Sequence, residues 1–221
     1  MNKLIGRERE IRELQRCLDS DESEFVIVYG RRRVGKTFLI DQFFHETYDF
    51  SYTGGHKLTT RQQLTNFGKA MKRYANLSQR PKYESWFDAF DALEDFFESQ
   101  DANRRKVIFI DEMPWIDTIR SEFVTALENF WNGWAARRHD ILLVASGSAT
   151  SWMIDNLINN PGGLHNRIKT RIYLRPFTLH ETEFYLKTRH VRWDHYQILQ
   201  TYMVFGGIPY YLSLLSNKES L

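Results

Sequence analysis

The chain has 221 residues, 42% hydrophobic and 26% charged, and its 30 Lys and Arg against 28 Asp and Glu give a net charge of +2. That composition excludes a disordered chain, which cannot bury enough apolar surface to offset its ordering entropy, and the near-neutral balance gives no strong electrostatic footprint for nucleic acid or an anionic membrane. One cysteine, Cys17, excludes an internal disulfide, and no signal core or run approaching the ~18 apolar residues of a membrane helix occurs, so a cytoplasmic protein is expected.

Residues 7–19 place Ile11, Leu14 and Leu18 at helical spacing among charges and predict an amphipathic helix. Phe25-Val26-Ile27-Val28-Tyr29 is a continuous apolar run, the pattern of a strand buried on both faces. A helix is predicted from Gly35 to Phe44, a second strand from Tyr48 to Tyr52, and a helix over residues 60–76. Trp86, Phe87, Phe90, Leu93, Phe96 and Phe97 form one apolar helical face and are assigned to the core. Val107 to Ile110 is a third strand, Phe123 to Trp134 a further apolar helix, Ile141 to Ala145 a fourth strand and Ile172 to Leu174 a fifth. Strands alternating with helices predict an α/β domain with a parallel sheet. From Thr178 the pattern is helical only, over 178–188, 194–204 and again from Pro209. The predicted division is a core over 1–176 and a small helical appendage over 177–221.

Gly30-Arg31-Arg32-Arg33-Val34-Gly35-Lys36-Thr37 matches the phosphate-loop pattern G-x-x-x-x-G-K-[ST] in full. Chance would produce it in roughly one chain in a hundred of this length. The glycines let backbone N–H groups curl around phosphate oxygens, and the following helix adds free donors and partial positive charge. Lys36 is suited to the β- and γ-phosphates and the Thr37 hydroxyl to Mg²⁺. Two of the three arginines are expected in solvent, with the choice among them open. Asp111 and Glu112 end the third strand, where an Asp can hold Mg²⁺ and a Glu can polarise an attacking water. Ser146 and Ser148, at the end of the fourth strand, are both candidates to orient the attacking water or sense the γ-phosphate, and an arginine near Leu164-His165-Asn166-Arg167 is a candidate to stabilise transferred charge. Asn217-Lys218 is followed by Ser220 rather than the Asp of a guanine motif, and no G-x-G-x-x-G occurs. His190 and His195 are read as ordinary helix residues.

Taken in order, Ile5-Gly6-Arg7-Glu8-Arg9-Glu10, the loop Gly30–Thr37, Ile110-Asp111-Glu112, Ser146-Gly147-Ser148 and Gly206-Gly207-Ile208-Pro209 resemble the archaeal-type ATPases. These belong to the signal-transducing (STAND) branch of the AAA+ P-loop NTPases. The resemblance covers roughly residues 4–215. It implies a three-layer α/β fold with a five-stranded parallel sheet of order 5-1-4-3-2, followed by a helical lid. It implies ATP and Mg²⁺ as cofactors. The loop residues Gly30 to Thr37, with Phe38, would bind the nucleotide. Ile5, Gly6, Arg7 and Pro209 would lie on the adenine side, with Thr37 and Asp111 on magnesium. Glu112 would act on the water, Lys36 on the phosphates, Ser146 as sensor and Arg167 as arginine finger. Relatives commonly continue into a winged-helix region and a nuclease-like tail, so the chain is expected to be a fragment truncated before them.

The function expected is Mg²⁺-dependent ATP hydrolysis in a nucleotide-controlled switch, with ATP and ADP as ligands and a protein partner or second copy responding. One alternative is an ATP-dependent DNA-binding protein, using Arg31–Arg33, Arg104-Arg105-Lys106 and Arg137-Arg138, which the net charge does not support. The other is a non-catalytic nucleotide-binding module.

Overall fold

A computed structural model describes residues 4–101, 103–159, 162–164 and 166–216. His165 and residues 217–221, with Asn217-Lys218 and Ser220, lie outside these. The five strands β1 (Glu24–Tyr29), β2 (Phe50–Thr53), β3 (Lys106–Asp111), β4 (Ile141–Gly147) and β5 (Thr170–Tyr173) form one sheet of order β2-β3-β4-β1-β5. Every pairing is parallel. This is the expected order, read from the other edge.

The continuous apolar runs are explained by burial on both faces. Phe25 and Ile27 of β1, with Ile108 and Ile110 of β3 and Leu143 of β4, face an aromatic layer. That layer comes from helices α3 (Thr60–Tyr74), α4 (Trp86–Glu98) and α6 (Phe123–Asn129). Val26, Val28, Phe109, Val144 and Ile172 face the opposite layer. There they meet Leu14 and Cys17 of α1 (Glu8–Leu18) and Leu39 and Ile40 of α2 (Lys36–Phe44). Capping boxes fix the starts of α3 and α4: Thr59 and Ser85 accept the N–H groups of Gln62 and Asp88, whose side chains reach back.

The structure departs from the sequence reading in places. β2 starts at Phe50 rather than Tyr48, because the Tyr48 hydroxyl donates to Asp41 of α2 at 2.7 Å and its ring packs on Phe109. The helix predicted to reach Trp134 widens into a π-turn over Phe130–Trp134. That wider turn seats two consecutive rings in the core: Phe130 lies 5.0 Å from Phe90, and Trp131 lies 5.1 Å from Phe25. Two short helices follow strand ends without having been foreseen, α5 (Met113–Ile116) and α7 (Thr150–Met153).

After β5 the described chain is helical, with α8 (Leu179–Thr188), α9 (His195–Phe205) and α10 (Pro209–Leu212). Leu186, Val191 and Ile198 make a small cluster of their own. Asp194 caps α9, and Gly206 ends it in a left-handed conformation at φ +62°. Gly207 has φ +69°, and a Cβ there would lie 2.1 Å from the Phe177 carbonyl oxygen. The Phe177 N–H donates to the Gly207 carbonyl at 2.8 Å, which brings the end of this segment back onto its beginning.

Trp86 is fully buried, with its ring 5.0 Å from Phe123 and 5.6 Å from Phe67. Trp86→Ala should lower the unfolding free energy by about 3–5 kcal/mol. Urea denaturation checks this, and a loss under about 1 kcal/mol would contradict the packing described.

Candidate nucleotide site

The parallel sheet brings the carboxyl ends of β1, β3 and β4 to one edge, and the residues that follow them form the site. After Tyr29 the chain turns through Gly30 at φ +148°, Arg33 at +71° and Gly35 at +93° before α2 begins at Lys36. A Cβ on Gly30 would sit 2.4 Å from the Leu174 carbonyl oxygen, so only glycine lets the loop pass β5 this closely. No side chain caps α2. Its first-turn N–H groups therefore point outward as a set of donors for an anion.

Lys36 is buried, and its ammonium donates to the carbonyls of Gly30 at 3.1 Å and Arg31 at 3.3 Å. Burial pushes its pKa down, opposed by the charges of Glu112 and Asp111. The Thr37 hydroxyl donates to Asp111 Oδ2 at 3.1 Å. Ser146 donates to Asp111 Oδ1, and the Glu112 N–H reaches the same oxygen at 3.0 Å. Asp111 is 4% exposed, and burial raises its pKa against these hydrogen bonds. Glu112 holds a left-handed backbone, φ +50°, as α5 starts. Its carboxylate accepts from the Ser148 hydroxyl at 2.9 Å and the Ser148 N–H at 3.2 Å.

The two serines thus do different things. Ser146 is fully buried and spends its hydroxyl on Asp111, whereas Ser148, past the strand end, faces Glu112. Thr37 and Asp111 form an oxygen donor pair of the kind a hard divalent cation takes, and the uncapped helix with Lys36 suits a polyphosphate. The residues therefore fit both groups.

Beside the loop lies a largely apolar cavity of about 470 Å³, lined by Ile5, Arg7, Arg33, Val34, Gly35, Phe38 and Pro209 among others. Gly6 does not line it but turns the chain, at φ +63°, so that its neighbours do. Arg7 is buried, donates to the Arg175 carbonyl at 2.7 Å and lies over the Phe177 ring at 4.9 Å. Phe177, Tyr185 and Tyr210 complete the aromatic wall, and no local pattern in the sequence singles them out.

All three loop arginines are exposed, against the expectation of two. Two of them nevertheless contact rings. Arg32 lies 5.5 Å from Trp115, while Arg33 lies 4.5 Å from Tyr210 and donates to the Tyr211 hydroxyl at 2.9 Å. Sequence reasoning also missed Gln63, which is fully buried. It donates to the Trp115 carbonyl at 2.6 Å and the Gly55 carbonyl at 2.8 Å, tying the turn after β2 to the one after Glu112. Arg167 is exposed on the turn before β5 and, among the described residues, shares no hydrogen bond, ion pair or cavity with Lys36, Thr37, Asp111 or Glu112. His195 is an exposed first-turn residue of α9, facing Glu183 at 3.6 Å, and His190 lies in the turn after α8 rather than in a helix. No cluster of metal-binding side chains and no helix long and apolar enough to cross a membrane occurs among the described residues.

The family model for an ATPase domain predominantly from Archaea matches residues 4–215. The chain belongs to that family. A Methanocaldococcus jannaschii protein is 27% identical over 212 residues, covering 94% of this chain but 43% of its own length. Among solved structures, the Walker-type ATPase of Pyrococcus abyssi superposes with TM-score 0.67 at 19% identity, over 95% of this chain and 65% of that one. A STAND protein with a tetratricopeptide-repeat sensor from Pyrococcus horikoshii gives 0.60 at 17% identity, over 100% of this chain and 31% of that one. These structures share the P-loop NTPase fold. The chain thus spans less than two thirds of each of these relatives.

The buried charge on Asp111 predicts a trade-off between stability and binding. Its raised pKa means that the ionised form costs folding free energy above that pKa. Asp111→Asn should therefore raise stability near pH 7 by about 1 kcal/mol, and the gain should vanish as pH falls toward the carboxyl's ordinary range. Thermal unfolding across pH checks both signs. A loss of stability at pH 7 would contradict the account.

Proposed function

We propose that this domain binds and hydrolyses ATP with Mg²⁺ and works as a nucleotide-controlled switch. The observation that carries the reading is the buried carboxylate of Asp111, shared by Thr37 of the phosphate loop and Ser146 of β4, next to Glu112 and Lys36. Adenine fits the apolar cavity beside Ile5, Phe38 and Pro209, with the triphosphate running toward the start of α2. Lys36 and the N–H groups of the loop hold the β- and γ-phosphates. Thr37 and Asp111 would hold Mg²⁺, which supplies neutralisation of charge on the phosphate oxygens. Glu112 orients a water in line with the γ-phosphorus and accepts its proton. The new O–P bond forms as the β–γ bridging bond breaks, leaving ADP and phosphate. Ser148, bonded to Glu112, aims that carboxylate, and Ser146 aims Asp111. Arg167, exposed on its turn, takes no part in these steps.

The switch reading rests on Arg33. It belongs to the phosphate loop yet packs on Tyr210 and Tyr211 of α10, so a ligand that rearranges the loop acts directly on the terminal helices, which would form the lid. A ligand shifts such an equilibrium only through contacts that differ between its two states, and the γ-phosphate is the difference between ATP and ADP.

Lys36→Ala and Glu112→Gln should each cut phosphate release by about 10²-fold or more, with Glu112→Gln still binding ATP and Lys36→Ala binding it weakly. Steady-state release and calorimetry with Mg²⁺ and ATP measure both, and equal rates in all three proteins would reject hydrolysis at this site. Arg33→Ala should speed dissociation of a fluorescent ATP analogue by about tenfold, a loss on the scale of one cation–π contact with its hydrogen bond. An unchanged off-rate in stopped flow would uncouple the loop from α10.

A further inference from the structure

The sheet ends at β5, and its outer edge carries features that the nucleotide site does not use. The Leu174 N–H donates to the Tyr29 carbonyl at 2.8 Å. In a parallel ladder, alternate residues turn their polar groups to the same neighbour, so Thr170, Ile172 and Leu174 serve β1. The N–H and C=O groups of Arg171 and Tyr173 therefore point away from the sheet, and among the described residues no strand pairs with them.

A groove of about 800 Å³ runs along this edge, walled by α1 on one side and by the chain entering α8 on the other. Its charges are unevenly satisfied. Glu10 faces Arg7 at 3.9 Å, Glu13 faces Arg16 at 3.5 Å, and Glu181 closes the capping box at Thr178. Lys169 pairs with Glu22 at 2.9 Å, but three arginines are freer. Among the described residues, Arg9 is exposed on α1 with no ion pair, and Arg171 makes one side-chain hydrogen bond, from Nε to the Ile168 carbonyl at 3.2 Å. Arg175 lies over the Tyr173 ring at 5.9 Å. Two of the three carboxylates thus face cations of α1 and its start, while Arg9, Arg171 and Arg175 leave the groove with a net positive charge.

We propose that this groove binds an extended acidic peptide segment, which adds to the sheet beside β5. Main-chain hydrogen bonds to Arg171 and Tyr173 would align the segment. Carboxylates at every second position would fall on one face and meet Arg171 and Arg175, which lie on the face of β5 turned away from α1. The charge argues for an acidic occupant over an apolar or basic one. The free backbone groups argue for a strand over a helix.

The test titrates the whole chain at low salt with three labelled probes: a short peptide alternating Glu and Val, the same peptide with Lys for Glu, and a short single-stranded DNA. The acidic peptide should bind and the basic one should not. Binding should slow amide hydrogen exchange at Arg171 and Tyr173, and Arg171→Glu should weaken it by about tenfold or more without altering ATP binding. Arg175→Glu, exposed on the same face as Arg171, should weaken it in the same direction and serves should Arg171→Glu fold poorly. Absence of peptide binding by folded protein would overturn the proposal and leave the arginines as guards that keep the edge from pairing. Peptide binding without protection of the two amides would overturn strand addition. DNA binding that outcompetes the peptide and is lost in Arg171→Glu would assign the groove to phosphates instead.

Discussion

A carboxylate buried at the centre of a sheet edge is the constraint around which this structure is arranged. Desolvation alone would push Asp111 toward its neutral form, and Glu112 beside it pushes the same way. Three donors oppose this: Thr37 from the phosphate loop, Ser146 from β4 and the Glu112 N–H. Because they come from different segments, holding one charge fixes the start of α2 against two strands. Lys36 suffers the mirror-image penalty, its ammonium disfavoured by burial and favoured by the same two acidic residues. The Lys36 charge is partly compensated by Glu112 and Asp111 and the Asp111 charge by its hydrogen bonds, and burial outweighs both. An arrangement of this kind lowers stability to preserve a polar constellation in place.

The sheet makes that constellation geometrically necessary. With every pairing parallel, Gly30, Glu112 and Ser148 all leave the same edge of the sheet. The strands were legible because burial on both faces leaves uninterrupted apolar runs, as in Phe25 to Tyr29 and Ile141 to Ala145. The phosphate loop was legible because each residue type in it has one local backbone or charge requirement. Less legible were features that depend on which way a side chain points. Ser146 and Ser148 look equivalent in sequence, and only their position relative to the end of β4 sends one inward to Asp111 and the other to Glu112. The π-turn at Phe130–Trp134 was hidden for a related reason: a heptad-like stripe does not say that two consecutive rings must both enter the core.

The aromatic wall of the cavity illustrates a different limit. Leu4 and Ile5 come from the start of the described chain, Phe38 from α2, Phe177 and Tyr185 from around α8, and Pro209 and Tyr210 from α10. No periodicity within any one segment encodes their meeting. What gathers them is the closure between Phe177 and Gly207, where a Cβ would collide with the Phe177 carbonyl and where Phe177 donates to the Gly207 carbonyl. The Gly206-Gly207 pair was visible in the sequence as part of a resemblance. Its physical role is to turn α10 back so that Pro209 and Tyr210 face the loop rather than solvent.

That return also explains why Arg33 matters more than its exposure suggests. An exposed arginine on a flexible loop would ordinarily be solvated and energetically neutral. Here the left-handed backbone at Arg33 and the two rings following Pro209 bring a guanidinium and a tyrosine hydroxyl to 2.9 Å across 178 residues of chain. The loop cannot change its path around an anion without either keeping that contact and carrying α10 along, or breaking it and releasing α10. Both responses follow from the same fact: the terminal helices are anchored on one side to Phe177, through a backbone bond indifferent to ligand. On the other side they are anchored to Arg33, through a side chain rooted in the loop that surrounds Lys36. One anchor is independent of the loop and the other is rooted in it, and that asymmetry is what the proposed switch rests on.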